Sequence, residues 1–381
     1  MKIRTIATSS MEQFMTRNQA LAFGGKAAGV CYMANSLKDI LKESAEKTEN
    51  RVKRTLESGH HSVYEHTYFT IYLEDIPKIL AMILNNEKAY VTSEKSARYT
   101  TMKTTGLEEK CYNEWIKIFE KEIKSKYTNL SDSKVSKLAK ENARYLISVF
   151  TPSTNMLYTT SFRQFNYILH WCEDYIREEK DNDFTIKVKN VLKEFIAKMS
   201  WIYVMELSIR PKTKKLSLFD DRKVHNEQFG ECYCTTYKGT MAQLAQAQRH
   251  RTISYTMSLG EEEYYVPLII KDTVYEDLWI EDLKKLGANF PQGRLINICE
   301  RGKYEDFILK CEERLCSQAQ LEIMHQTYDT LVKYARSCYE NNEEEIYEAL
   351  RPHLKGSRCN LPYWKCNTPC SYGKKAIFRK I

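Results

Sequence analysis

The chain has 381 residues, of which 43% are hydrophobic and 28% are charged, as in an ordinary globular protein. It contains no run of about 18 apolar residues, which excludes a membrane-spanning helix of the usual kind. The beginning, MKIRTIATSSMEQF, lacks the apolar stretch of a secretory signal. The net charge of +8 fits an anionic partner, although a solvated basic surface gives the same value.

Twelve cysteines are scattered along the chain, which favours reduced intracellular thiols over a disulfide framework. The spacing of Cys359, Cys366 and Cys370 could serve a metal. However, no C-x-x-C pair and no histidine completes a tetrahedral set there. We therefore predict a cytoplasmic protein without a metal site.

The first part of the chain alternates between helical and strand-like patterns. Residues 1–58 are predicted to be mainly helical up to Gly59, and TYFTIYLE at 67–74 is predicted to be a strand. A helix is expected to begin near Pro77. A polar loop follows at 88–100, and a long helical region covers roughly 108–207.

The same order returns later in the chain. After a polar stretch at 208–230, CYCTTY at 232–237 is predicted to be a strand and a helix is expected from Gly239. A polar loop at 251–265 and a long helix at about 304–338 follow. This order is typical of an internal repeat, although alternation alone is common in α+β proteins.

Three polar clusters stand out. GHHSVYEH at 59–66 could hold a metal, a ring system or a phosphate, but its spacing is not that of a His-Glu-x-x-His metal site. QRHR at 248–251 presents two arginine forks that match phosphate oxygens, or that simply complement a helix dipole. In SEKSARY at 93–99, Ser96 and Arg98 could face one phosphate from an extended loop.

Together these clusters resemble the flavin-dependent thymidylate synthase family. That family carries a Gly-His-x-Ser/Thr-x-x-Glu-His element, and a signature of Arg-His-Arg followed by Ser-x-Arg-Tyr. Here the signature is split between two halves. The first half has SEKSARY but reads Asn86-Glu87-Lys88 at the Arg-His-Arg place, whereas the second half has Arg249-His250-Arg251 but reads SLGEEEY at the Ser-x-Arg place.

The late helices extend the resemblance. Residues 290–323 are similar to a turn, strand and helix that end in an arginine and then Ala-Gln-x-Glu-Ile, and Arg314 and AQLEI fall at those places. The first half retains Arg144 and Arg163 but reads Trp171-Cys172 at the late arginine. The retained residues are complementary, which favours one complete site assembled from two halves over random decay of a dead enzyme.

The resemblance implies an α+β fold with two tandem copies of the family fold, in which helices pack on a mostly antiparallel sheet, related by a pseudo-two-fold axis. We expect a first half at 1–207, a linker at 208–230, a second half at 231–350 and a basic, cysteine-containing tail at 351–381. The family's tetramer would then correspond to a homodimer of this chain. We expect no membrane and no nucleic-acid partner.

The resemblance also implies a reaction: methylation of dUMP to dTMP with FAD, NADPH and methylenetetrahydrofolate. Arg314 would activate the uracil ring. Substrate binding is expected from Gln246, Arg249, Glu94, Lys95, Ser96, Ala97, Arg98, Arg144 and Arg314. Flavin binding is expected from His60, Ser62, Glu65, Glu94, Ser161, Arg163, Arg249, His250 and Arg251.

Some positions depart from the family pattern. The asparagine of the flavin-binding turn reads Ser161 in the first half and Lys303 in the second. Two alternatives therefore accompany the main interpretation. One is a flavin enzyme that modifies C5 of another pyrimidine nucleotide, and the other is a catalytically dead homologue that binds nucleotides or RNA.

Overall fold

A computed structural model describes residues 1–9, 14–32, 36–98, 100–208, 214–368 and 370–381. Tyr99 of the Ser-x-Arg-Tyr motif and residues 209–213 of the predicted linker lie outside the described residues. The chain forms two compact units, each made from two separate stretches of sequence. Unit 1 comprises Met1–Lys95 and Pro152–Ser217, and unit 2 comprises Ser96–Thr151 and Leu218–Ile381.

Strands and helices alternate along the chain. The strands are β1 (Lys2–Thr8), β2 (Tyr68–Ile76), β3 (Val91–Glu94), β4 (Thr154–Ser161), β5 (Cys232–Thr240), β6 (Ser254–Tyr264) and β7 (Arg294–Lys303). The helices are α1 (Arg17–Tyr32), α2 (Leu37–Lys42), α3 (Ala45–Ser58), α4 (Lys78–Leu84), α5 (Gly106–Lys126), α6 (Asp132–Ala143), α7 (Phe162–Glu178), α8 (Asp183–Met199), α9 (Met241–Ala247), α10 (Tyr275–Lys285), α11 (Tyr304–Arg314), α12 (Leu321–Glu340) and α13 (Glu344–Leu350). Within the described ranges, none of these helices is long and apolar enough to cross a bilayer.

Unit 1 is built on an antiparallel sheet with strand order β1-β2-β4-β3. In β2 the side chains alternate, so that Phe69, Ile71 and Leu73 are buried while their neighbours face outward or are half-buried. Helix α7 follows β4 directly, and its first turn is capped by Ser161, whose Oγ accepts a hydrogen bond from the Gln164 amide at 3.1 Å. The strand-to-helix junction is thereby fixed.

Unit 2 contains a second antiparallel sheet, with order β5-β7-β6. Helices α5 and α6, from the first stretch of this unit, share one apolar core with α10 from the second. Trp115 on α5 meets Trp279 on α10 with ring centroids 4.7 Å apart, and its indole N–H donates to Asp282 at 2.9 Å. Residues from 96–151 are therefore part of the same core as residues from 218–381.

Several predicted elements are confirmed, including the strands at 67–74 and 232–237, which the structure extends to β2 and β5. The prediction that residues 1–58 are mainly helical is wrong at its start, because residues 2–8 pair with β2 as a strand. Likewise β3 lies in the predicted loop 88–100 and β6 in the predicted loop 251–265. Each gains ladder hydrogen bonds from a distant strand, a contact that local polarity does not reveal.

The predicted long helices are also interrupted. Strand β4 divides the region 108–207 because it pairs with both β2 and β3. The helix predicted over 304–338 breaks between Arg314 and Leu321. Two residues of the C-terminal tail form hydrogen bonds with backbone carbonyls in this break. The Arg358 amide donates to Leu315 O at 2.8 Å, and the Arg379 guanidinium donates to Ala319 O at 2.6 Å. These two carbonyls lie between α11 and α12, and the tail gives them the hydrogen-bond partners that a continuous helix would have supplied.

Candidate functional site

Arginines from both stretches of unit 2 form one cationic cluster. Arg98 and Arg144 come from the first stretch, and Arg249 and Arg314 from the second. Burial lowers the pKa of the Arg314 guanidinium, and the nearby charges of Arg249 and Arg98 lower this pKa further, against the opposing effect of Glu313. Like charges gathered in this way favour an anionic ligand that relieves their repulsion.

Arg314 is the last residue of α11 and is largely enclosed, with 11% of its side chain exposed. Its Nε donates to Nε2 of His250 at 2.6 Å, and its Nη2 lies 3.6 Å from Glu313 Oε2. At that distance the contact with Glu313 is an ion pair without a hydrogen bond. The hydrogen bond to the His250 imidazole therefore fixes the position of Arg314 more than the contact with Glu313 does.

His250 accepts from Arg314, so its Nε2 must be unprotonated. Burial, together with the charges of Arg314 and Lys310, lowers the pKa of His250 from 6.5 to about 2. The imidazole therefore stays neutral in the folded protein at any ordinary pH. In the unfolded chain it takes up a proton below pH about 6.5. The free energy of unfolding therefore decreases as the pH falls from about 6.5 towards 2, because the unfolded chain binds a proton at His250 that the folded protein does not.

We expect His250→Gln to reduce this acid sensitivity, because glutamine does not titrate and its carbonyl oxygen can still accept from Arg314. Between pH 7 and pH 5, the free energy of unfolding should fall by about 2 kcal/mol less in the variant than in the parent protein. Urea unfolding at the two pH values measures the difference, with His66→Gln at an exposed position as control. Parallel losses in His250→Gln and the parent would contradict a neutral His250.

Arg144 and Gln246 each have one buried polar atom without a hydrogen-bond partner among the described residues. Both side chains are buried, and the Arg144 guanidinium donates through Nη2 to Gln320 Oε1. The Arg144 Nε and the Gln246 Oε1 have no hydrogen-bond partner among the described residues. Because an unmade buried hydrogen bond is costly, these two atoms favour a polar ligand in unit 2.

A buried carboxylate ties the two stretches of unit 2 together. Glu322 accepts from the Thr240 amide and hydroxyl, both at 2.8 Å, and from the Tyr145 hydroxyl at 2.9 Å. Burial raises the pKa of Glu322, while these hydrogen bonds oppose the rise. Since Tyr145 follows Arg144 directly and Thr240 caps α9, this network fixes the position of Arg144 relative to the helix that carries Gln246.

The loop motif that precedes α5 is held in a compact turn. Ser96 Oγ accepts from the Arg98 amide at 3.3 Å, and Ala97 packs against the core of unit 2. The Arg98 Nε donates to Glu141 on α6. Glu141 therefore orients the arginine that the sequence assigns to phosphate binding.

The predicted flavin residues of the first half gather around one junction in unit 1. His60 Nδ1 lies 2.7 Å from the Tyr32 hydroxyl, and Ser62 is exposed. Glu65 forms an ion pair with Arg163, whose guanidinium lies 5.2 Å from the centre of the Tyr167 ring. The Arg163 Nε is buried and has no hydrogen-bond partner within the described part of the chain.

The remaining predicted residues are placed separately. Glu94 belongs to unit 1, where Lys78 Nζ lies 2.5 Å from its Oε1, and the Lys95 amide donates to Asn155 O at 2.9 Å. Arg249 and Arg251, which follow α9 in unit 2, are both exposed. The structure thus brings the second-half arginines together with Arg98 and Arg144 in one unit, whereas Glu94 and Lys95 belong to the other unit.

Sequence reasoning missed several supporting residues. Glu141 and Gln320 accept from Arg98 and Arg144, and Tyr145 donates to Glu322 beside them. None of these four was named as a site residue. Two of them lie inside the AQLEI motif, so the signal was present for Gln320 and Glu322. Glu141 carries no comparable signal, because nothing in the pattern of α6 distinguishes it from a surface acid.

Comparison with solved structures finds proteins that align with about half of this chain. A UMP/dUMP methylase, PolB from Streptomyces cacaoi with 5-Br dUMP, is 16% identical, with 54% of this chain and 92% of that chain covered and a TM-score of 0.33. Thymidylate Synthase X from Helicobacter pylori with FAD and dUMP is 12% identical, with 55% and 96% covered and a TM-score of 0.33.

Comparison with curated proteins finds no match to this chain. The comparison with family models does find one. The matching family is described as thymidylate synthase complementing protein, and the match covers residues 15–175. This match supports the family resemblance for the first part of the chain, which carries the 59–66 element and the Ser-x-Arg loop.

Proposed function

We propose that the chain is a flavin-dependent thymidylate synthase that methylates C5 of dUMP, with methylenetetrahydrofolate as the carbon donor and NADPH as the reductant. The observation that carries this proposal is the cationic cluster in unit 2. Its arginines come from sequence halves that each lack part of the family signature. The family match over residues 15–175 supports the same function.

The order of elements supports an origin by tandem duplication. In unit 1 the chain runs through β2, α4, β3, β4 and α7. In unit 2 the corresponding elements are β5, α9, β6, β7 and α11. The matching parts of the sheets have the orders β2-β4-β3 and β5-β7-β6, and all pairs are antiparallel. Two unrelated domains would rarely share both the connection and the strand order.

The residues of unit 2 suit a nucleoside monophosphate. Arg98 and Arg249 would bind phosphate oxygens through charge-assisted hydrogen bonds. The unpartnered Arg144 Nε and Gln246 Oε1 offer one donor and one acceptor for the phosphate and sugar. Arg314 would hold the uracil ring and stabilise the negative charge that develops on it when N3 loses its proton.

The residues of unit 1 fit a flavin nucleotide in the same way. The unpartnered Arg163 Nε is a donor for a ligand oxygen, and His60 and Ser62 offer further polar contacts beside it. With Glu65 and Ser161, these residues of unit 1 would hold FAD. When bound in its reduced form, the flavin supplies the hydride that converts the transferred carbon into a methyl group.

Tritium release from 5-labelled dUMP tests the reaction directly, because C5 loses its hydrogen when the new carbon bond is made. We expect release that requires FAD, NADPH and methylenetetrahydrofolate together. Labelled UMP run in parallel reports whether the 2′-hydroxyl is tolerated. If flavin-loaded protein releases tritium from neither dUMP nor UMP, the proposal is contradicted.

Arg98 and Arg249 should contribute to one nucleotide site although they come from different sequence halves. We expect Arg98→Ala and Arg249→Ala each to weaken dUMP binding by about 1.5–3 kcal/mol, the range for a hydrogen bond to a charged group. Isothermal titration calorimetry measures the change. Glu263→Ala is the control, because Glu263 lies on β6, where the second half lacks the Ser-x-Arg motif, and pairs with Lys238 at 2.7 Å. Equal losses in all three variants would argue against a composite site.

A further inference from the structure

The segment Lys214–Ser217, at the end of unit 1, packs against the loop that follows α4. The Ser217 amide donates to Glu87 Oε1 at 2.5 Å. The Asn86 side-chain amide donates to Ser217 Oγ at 2.7 Å, and this hydroxyl donates in turn to Asn86 O at 3.0 Å. Leu216, which precedes Ser217, is only 1% exposed. The segment is therefore anchored by both main-chain and side-chain contacts.

Lys214 adds a charged contact at the same place. Its Nζ lies 3.2 Å from Glu87 Oε2 and 3.8 Å from the centre of the Trp171 ring. The Glu87 side chain is fully buried, and the Lys214 side chain is 38% exposed. A buried carboxylate requires such a partner, so Lys214 and the Ser217 amide together stabilise Glu87 in this position.

These residues occupy the first-half counterpart of the arginine site. His250 comes three residues after the end of α9 at Ala247, and Glu87 comes three residues after the end of α4 at Leu84. Arg314 is the eleventh residue of α11, and Cys172 is the eleventh residue of α7, next to Trp171. The pair His250–Arg314 of unit 2 therefore corresponds to Glu87 and Trp171-Cys172 in unit 1.

The chemistry of the two places is opposite. In unit 2 a neutral imidazole supports an arginine within a cationic cluster, which attracts an anionic ligand. In unit 1 an acid stands at the imidazole position, buried apolar side chains stand at the arginine position, and Lys214 is already paired with the acid. A nucleotide placed here as in unit 2 would bring its uracil ring against a negative charge and occupied space.

We propose that Lys214–Ser217 is an internal plug that closes the reciprocal nucleotide site, so that one chain binds one nucleotide. This inference rests on the proposed function for the identity of the ligand. The docking of the segment itself rests only on the contacts given above. The two parts can be tested separately.

Hydrogen exchange tests the docking without any ligand. We expect the Ser217 amide to be protected in the parent protein and to exchange at least about tenfold faster in Lys214→Ala and in Glu87→Ala, because each change removes one anchor of the plug. Glu57→Ala is the matched control, since Glu57 is exposed on α3 and pairs only with Lys53 among the described contacts. Exchange of Ser217 in the parent at the rate of an unstructured chain would overturn the plug.

Nucleotide stoichiometry tests the closure. Titration of dUMP into FAD-loaded protein should give one site per chain, and Arg249→Ala should leave no second, weaker site. Saturating dUMP should leave the exchange of Ser217 unchanged. Two sites per chain, or faster Ser217 exchange with dUMP, would overturn the inference. No dUMP binding at all would instead contradict the proposed function, and the ligand-free exchange would still decide whether the segment is docked.

Discussion

Arg314→Ala is expected to lower turnover by about 10²–10³-fold, the usual loss when one donor to a developing charge is removed. The Arg314 side chain is 11% exposed and its guanidinium donates to His250, so its charge acts in a site with little water. Removing it would leave the N3-deprotonated uracil without its cation. Arg314→Lys should recover little, because an ammonium cannot reproduce a planar contact through two donors.

The measurement is single-turnover oxidation of reduced flavin in the presence of dUMP and methylenetetrahydrofolate. Flavin affinity should be almost unchanged in Arg314→Ala, which separates loss of ring activation from loss of the cofactor. Arg336→Ala is a suitable control, because Arg336 is an exposed arginine on α12 that pairs with Glu340. Oxidation of the flavin at the parent rate in Arg314→Ala would show that another group activates the ring.

Lys310→Met is expected to destabilise the protein more than any surface change. Lys310 and Glu300 are both fully buried, with Nζ 2.8 and 2.7 Å from the two carboxylate oxygens. The hydroxyls of Tyr233 and Tyr237 donate to the same carboxylate. Removing only the lysine would leave a buried charge without its counter-ion, a change that costs about 3–5 kcal/mol.

Urea unfolding followed by circular dichroism measures this loss. The double variant Lys310→Met/Glu300→Leu removes both charges, so it should be more stable than Lys310→Met although two tyrosine hydroxyls lose their acceptor. Arg336→Ala again serves as the control, and its unfolding midpoint should barely move. A midpoint for Lys310→Met close to that of Arg336→Ala would mean that Glu300 is not an uncompensated charge in the variant.

Local sequence patterns predicted the elements whose side chains carry their own signal. Strand β2 shows alternation over Phe69, Ile71 and Leu73, and α4 is apolar nearly throughout, so both were predicted within a few residues. Strands β1 and β6 were missed because their own sequences carry no comparable alternation of buried and exposed side chains. Their stability comes from pairing with β2 and β7, which lie far away in sequence.

The candidate site was predictable to the extent that motifs carry it. The split signature pointed to Arg98 and Arg144 in one half and to Arg249 and Arg314 in the other. The acids and amides that orient them were less visible, because the Arg98–Glu141 and Arg144–Gln320 contacts depend on helix packing. The contact of His250 with Arg314 was also not predicted: the pattern assigns His250 to flavin binding, and the structure adds that its Nε2 accepts from Arg314.

The division of each unit into two stretches constrains how the protein can be made. Residues 96–151 leave the ribosome long before residues 218–381, yet Trp115 and Tyr145 need partners from that later stretch to be buried. During synthesis the apolar faces of α5 and α6 stay partly exposed at least until α10, at Tyr275–Lys285, has been made. A fragment that ends after the first half would keep those faces uncovered, so the two halves cannot be expected to fold as independently expressed proteins.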